Sequence, residues 1–268
     1  MDYLSVNQQS WDKRVQTHVT SEFYDVAGFL QGKSSLQEIE LAQLNVVGKS
    51  LLHLQCHFGL DTLSWARMGA DVTGIDLSPA AIAQAKSLAE QAGLTADFIC
   101  SDVYSVPETV KGEFDVVFTS YGAIVWLPDL DKWAQVIANK LVAGGQFYMV
   151  EFHPAQAVFE GYNYFHQDAP DVEDEATYTE NANDDTHTFM SWPHSLADVI
   201  NALIKAGLEI NRLDEYPFSP YKCFAGLTEE TVTVELAGGR QSCKRYFVEH
   251  KGQRLPLTYS ISATKKAI

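Results

Sequence analysis

Residues 51–78, LLHLQCHFGLDTLSWARMGADVTGIDLS, constrain the fold of this chain more than any other stretch. Leu51, Leu52 and Leu54 form a short apolar run of buried-strand length, ending at the turn Gln55-Cys56-His57-Phe58-Gly59. Helical spacing follows at Leu60, Leu63 and Trp65 to Met68, and Gly69 suits a C-terminal cap. Residues 70–75 then read as a second strand that ends on Asp76. Strand, tight turn, helix and strand make one right-handed βαβ unit. Its terminal acid lies 17 residues beyond Gly59, close to the spacing at which such units place a carboxylate on a ribose. The turn opens a helix whose free N–H groups favour anions. The unit therefore implies a nucleoside-bearing ligand with a negative group nearby.

The alternation continues downstream. Ser78 is an N-cap with Pro79 in the first turn, and the helix runs to Gly93. Residues 96–100 read as a third strand that delivers Asp102 to the same sheet edge. Residues 114–120, FDVVFTS, have the near-continuous apolar run of a central parallel strand. Tyr121-Gly122-Ala123 stands at its carboxyl end. A helix over 130–141 is expected to stop at Gly144-Gly145, before a fifth strand over 146–152.

Taken together, these residues resemble the class I S-adenosylmethionine-dependent methyltransferases. Residues 55–59 and Asp76 resemble motif I and its following acid. The usual turn is Gly-x-Gly-x-Gly; here Gln55 and His57 stand where the first two glycines are expected, and only Gly59 remains. The succession FDVVFTSYGAIVWL…LVAGGQFYMVEFHP resembles the later motifs, so the likeness covers about 51–154. It implies a doubly wound α/β sandwich with a seven-stranded, mainly parallel sheet, a Rossmann-like fold whose last strand runs antiparallel beside the fifth. It also implies S-adenosylmethionine as cofactor and methyl transfer to a small-molecule acceptor. The cofactor residues it points to are Trp11, Gln55, His57, Gly59, Asp76, Leu77, Asp102, Val103 and Ser120. Asp76 would take the ribose hydroxyls and Asp102 the adenine amino group, although Asp102 also reads as the N-cap of a short turn. His153 and Tyr121 are the expected catalytic residues, with Glu151 and His166 as further candidate bases; each also reads as a polar loop residue.

The flanks elaborate this core within one expected domain. Residues 1–48 read as a helical cap in which Trp11, Val15 and Val19 share a face. Trp11 and Tyr24 read first as packing residues and second as residues that close over the cofactor. Leu36, Ile39, Leu41 and Leu44 suggest a second helix. Residues 153–192 interrupt the alternation as a lid insertion. There Tyr162, Tyr164 and Phe165 precede eight acids, Asp168, Asp171, Glu173, Asp174, Glu175, Glu180, Asp184 and Asp185. Such a run is usually a solvated hairpin. The sharper reading is a lid whose carboxylates and aromatic faces favour a cationic acceptor. Ser195 caps a helix, residues 208–213 form a sixth strand, and 214–256 is a second elaboration. The segment 245–249 is expected to pair, through a turn at Gly252, with a last strand over 257–262.

Composition bounds the partners. A formal net charge of −16 argues against nucleic acid. Cys56, Cys100, Cys223 and Cys243 are scattered, without a Cys-x-x-Cys, and read as reduced thiols. His53 and His57 sit on a strand and a turn, so no metal site is expected there. The N-terminus lacks the apolar core of a signal peptide and no segment is long enough to span a bilayer, so a cytoplasmic monomer or homodimer without membrane association is expected. One rival is a methyltransferase fold that binds a ligand without turnover. The other is a nicotinamide-dependent oxidoreductase, which would want the Gly-x-Gly-x-x-Gly turn or the Tyr-x-x-x-Lys pair that this sequence lacks.

Overall fold

The computed structural model describes residues 2–222, 224, 226–236 and 239–267. Seven strands form the central sheet: β1 (Ser50–Leu54), β2 (Asp71–Asp76), β3 (Asp97–Cys100), β4 (Phe114–Thr119), β5 (Leu141–Phe152), β6 (Leu208–Tyr216) and β7 (Thr258–Lys265). Their order is β3-β2-β1-β4-β5-β7-β6. Pairing is parallel from β3 to β5, and β7 runs antiparallel to both of its neighbours. The order reverses between β1 and β4, so a crevice opens there at the carboxyl ends of the strands.

Nine helices accompany the sheet among the described residues: α1 (Tyr3–Val19), α2 (Val26–Leu30), α3 (Glu38–Leu41), α4 (Leu60–Arg67), α5 (Pro79–Ala92), α6 (Val106–Thr109), α7 (Leu130–Lys140), α8 (Pro154–Phe159) and α9 (Leu196–Lys205). Side chains alternate across each strand. Leu52 and Leu54 of β1 therefore join the layer beneath α7 and α9, while Leu51 joins Trp65 and Phe118 on the other face. All three leucines are fully buried, which contributes about 1.5–3 kcal/mol apiece. Ser78 caps α5 through Oγ, which accepts the Ala81 N–H, and Ser195 with Asp198 forms a capping box at α9.

The structure departs from the sequence-based expectations in four places. The helix before β5 ends at Lys140, and the strand starts at once on Leu141. Gly144-Gly145 lies within β5, in a register shift where four residues, 142–145, bulge past Phe114 and Val116, and does not cap the helix. Glycine serves the bulge because Gly144 has φ +77°, and a Cβ on Gly145 would meet the Val142 carbonyl at 2.9 Å. The second helix of the cap shrinks to the four residues of α3. The segment 245–249 does not pair with the last strand. Gly239–Phe247 pairs antiparallel with Thr228–Leu236, and Glu249–His250 pairs with Gln253–Arg254 around Gly252. Both edges of the last strand are taken, by β5 and β6, so 245–249 finds its partner elsewhere. Cys223 lies outside the described residues.

The insertion at 153–192 is a helix, α8, followed by an antiparallel hairpin of Asp171–Glu175 and His187–Ser191. Asn7 of α1 docks that hairpin as a further strand would: its Nδ2 donates to the Met190 carbonyl at 2.9 Å and its Oδ1 accepts the Met190 N–H at 2.8 Å. The loop between the strands folds onto α1 and the turn after it. Asn181 Nδ2 donates to the Thr17 carbonyl at 2.9 Å, and the Glu180 carboxylate accepts the N–H groups of Glu22 and Phe23.

Candidate active site

The turn between β1 and α4 does what a glycine-rich turn does with fewer glycines. Gln55, His57 and Gly59 have φ of +57°, +51° and +80°. The alternate-residue left-handed pattern is thus retained although two of its positions carry side chains, a conformation that costs roughly 1–2 kcal/mol at each. The surroundings hold them there. Gln55 Nε2 donates to the Ala123 carbonyl at 2.8 Å, and the His57 N–H donates to Asp76 Oδ2 at 2.8 Å. Gly59 admits no side chain, because a Cβ would meet the Phe98 ring at 2.6 Å.

Asp76, at the end of β2, also accepts the Ser78 N–H on Oδ1 at 2.9 Å. Burial pushes its carboxyl up to about 6, against the pull of those N–H donors. Asp102, past the end of β3, caps the 3-10 turn Val103–Ser105: Oδ1 accepts the Tyr104 and Ser105 N–H groups at 3.0 and 3.1 Å. The capping role expected as one alternative is present, and Asp102 lines the crevice as well.

A cavity of about 480 Å³ fills the crevice. All nine residues expected to hold a cofactor line it: Trp11, Gln55, His57, Gly59, Asp76, Leu77, Asp102, Val103 and Ser120. Helix α1 forms one wall with Tyr3, Leu4, Asn7 and Trp11, and Gln8 Nε2 holds the Leu77 carbonyl at 3.0 Å. Trp11 and Tyr24, read first as packing residues, both reach the cavity.

The catalytic expectations divide. Tyr121 lines the cavity, and its hydroxyl donates to Glu40 Oε2 at 2.9 Å. Glu40 is fully buried, and burial with the nearby Asp61 charge pushes it up to about 8. His153 does not line the cavity. It is the N-cap of α8: Nδ1 accepts the Ala155 N–H at 3.1 Å, and Nε2 lies 2.7 Å from Glu215 Oε1. Its place after β5 suggested a base; the immediate start of α8 at Pro154 turns the ring to capping. Glu151 is also off the cavity. Its carboxylate accepts the N–H groups of Gly122, Ala123, Ile124 and Phe152, which fixes the loop after β4. His166 is stacked on His194 at 5.0 Å and lies away from the cavity. None of the eight lid acids, nor Tyr162, Tyr164 or Phe165, lines it. Tyr162 bonds Glu173 and Glu180 binds the turn after α1, and the insertion's contribution to the cavity is Tyr178.

Several participants were not anticipated from the sequence. His18, two turns from Trp11 on α1, places Nδ1 at 2.8 Å from His57 Nε2, while its Nε2 meets the Thr177 hydroxyl of the lid loop. Burial holds His18 down to about 3 and His57 well below its ordinary value, so one neutral ring donates to the other. His53 is buried between Thr62 and Ser120, at 2.8 and 3.1 Å. Asp61 lines the cavity two residues past Gly59, and its Oδ1 accepts the Ser35 hydroxyl at 2.6 Å. The adjacency of Asp61 to the turn was a readable signal; Tyr178 and Tyr221 arrive from distant segments and had none.

The strand order, the single antiparallel strand and the crevice after β1, β2 and β4 define the class I S-adenosylmethionine-dependent methyltransferase fold, and this chain carries it. Residues 51–145 match the family model of a methyltransferase domain. A putative S-adenosylmethionine dependent methyltransferase from Listeria monocytogenes aligns over 90% of this chain and 100% of its own, with TM-score 0.55 and 18% identity. Another from Clostridium acetobutylicum aligns over 97% and 98%, with TM-score 0.57 and 14% identity. Among curated proteins, the ubiquinone biosynthesis O-methyltransferase of Pectobacterium atrosepticum is 27% identical over 135 residues, 48% of this chain and 56% of its own length. The chain therefore spans little more than half the length of that relative.

Proposed function

We propose that this protein transfers a methyl group from S-adenosylmethionine to a small-molecule acceptor. The observation that carries the proposal is the convergence of the left-handed turn at Gln55, His57 and Gly59 with Asp76 and Asp102 on one cavity. Unsatisfied atoms in that turn fit the cofactor. Gln55 Oε1 and His57 Nδ1 are buried without a hydrogen-bond partner among the described residues, and burying such atoms is costly unless a ligand meets them. Asp76 would hold the ribose hydroxyls, Asp102 the adenine amino group, and Gln55 and His57 the amino-acid end. Bound, the cofactor supplies a methyl group that its sulfonium already activates.

The chain's own work is then alignment, water exclusion and proton handling. Trp11, Tyr24 and Tyr178 cover the crevice. Where an acceptor must lose a proton, Tyr121 Oη takes it as its own proton passes to Glu40 Oε2, 2.9 Å behind. A carboxylate pushed up to about 8 is a stronger base than an ordinary one. Residues 1–48, 153–192 and 214–256 serve in this proposal as cap, lid and second elaboration of one domain. The −16 net charge supports a small acceptor and no nucleic acid. No helix among the described residues is long and apolar enough to cross a membrane. A cytoplasmic monomer or homodimer is the working assignment.

Calorimetry tests the proposal directly. S-adenosylmethionine and S-adenosylhomocysteine should bind, and nicotinamide dinucleotides should not; the reverse result would sink it. A pH series adds a second test. Ribose hydroxyls donate to ionised Asp76, so protonation of the free protein competes with binding. Affinity for S-adenosylhomocysteine should be flat above about pH 7 and fall roughly tenfold per unit below pH 6, the value to which burial raises Asp76. A flat profile down to pH 5 would remove Asp76 from the ribose.

A further inference from the structure

Beyond the turn, one arm of the cavity is walled by the rings of Phe23, Tyr24, Tyr121, Phe152, Tyr178 and Tyr221. The rings form a continuous set: Tyr221 lies 5.4 Å from Phe23, 5.0 Å from Tyr121 and 6.4 Å from Phe152, and Phe23 lies 5.4 Å from Tyr178. Their hydroxyls are tied back into the protein. Tyr24 and Tyr178 bond each other, Tyr121 donates to Glu40, and Tyr221 accepts from Gln37 Nε2 at 3.2 Å. What the arm has left to offer a guest is ring surface and the Tyr121 oxygen, with the Asp61 carboxylate beside it.

Asp61 and Glu40 pose an electrostatic problem. Glu40 is fully buried and Asp61 half-buried at the cavity wall, and Asp61 makes negative charge on Glu40, Tyr24 and Tyr221 more costly. Neither has a salt-bridge partner among the described residues. The lysines that touch the cavity, Lys33 and Lys222, are exposed, and Lys33 is paired with Asp25 at 2.6 Å. A buried carboxylate is either matched by a cation or held protonated, as burial holds Glu40, and a cation beside it restores the charged form. Here no protein group fills that role.

We infer that this arm receives an acceptor bearing a cationic amine, held by the faces of its aromatic rings and by the Asp61 carboxylate, with Glu40 behind Tyr121 to take up a proton. The inference rests on the proposed methyl transfer and names its substrate class. Ring faces carry negative potential and attract ammonium groups, the more so when desolvated. A protonated amine has no free lone pair. Its proton passes to Tyr121 Oη as the Tyr121 proton passes to Glu40; the freed pair forms the N–C bond, and the S–C bond breaks with its electrons staying on sulfur. The methylated product is again cationic and still matches the arm. The lid acids suggested a cationic acceptor from the sequence; the residues that carry the idea in the structure are different ones.

The test uses a charged probe and its uncharged isostere, choline and 3,3-dimethylbutan-1-ol, titrated calorimetrically with and without S-adenosylhomocysteine. Choline should bind at least tenfold more tightly, and Asp61→Asn should abolish the preference. Proton release should accompany choline binding at pH 8, because a cation beside Glu40 favours its ionised form. Equal binding of the two probes would overturn the inference. So would an Asp61→Asn protein that keeps the preference but binds S-adenosylhomocysteine more weakly, since Asp61 would then serve the cofactor's own ammonium. If Asp61→Asn does not fold, Tyr221→Leu should lose the preference in the same assay. An acceptor screen read by mass shift should find amines methylated; turnover confined to phenols or carboxylates would refute it. S-adenosylhomocysteine is titrated alone first, so failure of the methyl-transfer reading shows there, apart from the probe pair.

Discussion

Asp76→Ala should weaken S-adenosylhomocysteine binding by about 2–4 kcal/mol, roughly 30- to 700-fold, the range for charge-assisted hydrogen bonds left unmade. The carboxylate does two jobs at once. Its oxygens accept the His57 and Ser78 N–H groups, which sets the turn and the start of α5, and it lines the cavity where the ribose hydroxyls belong. Asp76→Asn separates the jobs. Its amide oxygen can keep one backbone N–H while its NH₂ opposes the other, so it should lose most of the affinity and retain more stability than Ala. Equilibrium unfolding measured beside calorimetry distinguishes the two contributions. Wild-type affinity in a folded Asp76→Ala protein would make this acid a turn-forming residue and nothing more.

Glu151→Ala should cost about 3–5 kcal/mol of folding stability, among the largest effects of any single substitution here. The side chain is 2% exposed and accepts backbone N–H groups from Gly122, Ala123, Ile124 and Phe152. Alanine would leave those four donors without their acceptor. Glu151→Gln keeps one acceptor oxygen and should lose less. Because the loop after β4 forms part of the cavity wall, cofactor affinity should fall with stability in both variants. Urea unfolding of the variants reads the first effect. An unchanged midpoint for Glu151→Ala would show that the loop amides find other acceptors.

Much of this protein is determined by the order of its residues alone. Local patterns set most strands and helices from Leu51 to Phe152, as short apolar runs or helical faces closed by a cap such as Ser78 or a left-handed glycine such as Gly93; the junction of α7 and β5 is the exception. The spacing from turn to acid placed Asp76 and Asp102 on one edge for the same reason: right-handed crossovers leave few alternatives. The tertiary structure decided what those patterns do not encode. Whether Gln55 and His57 could take the place of glycines depended on the Ala123 carbonyl and the Asp76 carboxylate, which hold the turn from outside. The fate of the polar residues at the carboxyl ends of β4 and β5 depended on groups that only the folded chain brings to them. Glu151 met the loop after β4, His153 met the start of α8 and Glu215, and Tyr121 met Glu40. The acceptor arm was least legible, since Phe23, Asp61, Tyr121, Tyr178 and Tyr221 come from separate segments and meet only when the cap and lid fold over the sheet. A polar or aromatic side chain carries its chemistry in the sequence, but its role is set by the groups that surround it, and those are assembled by packing.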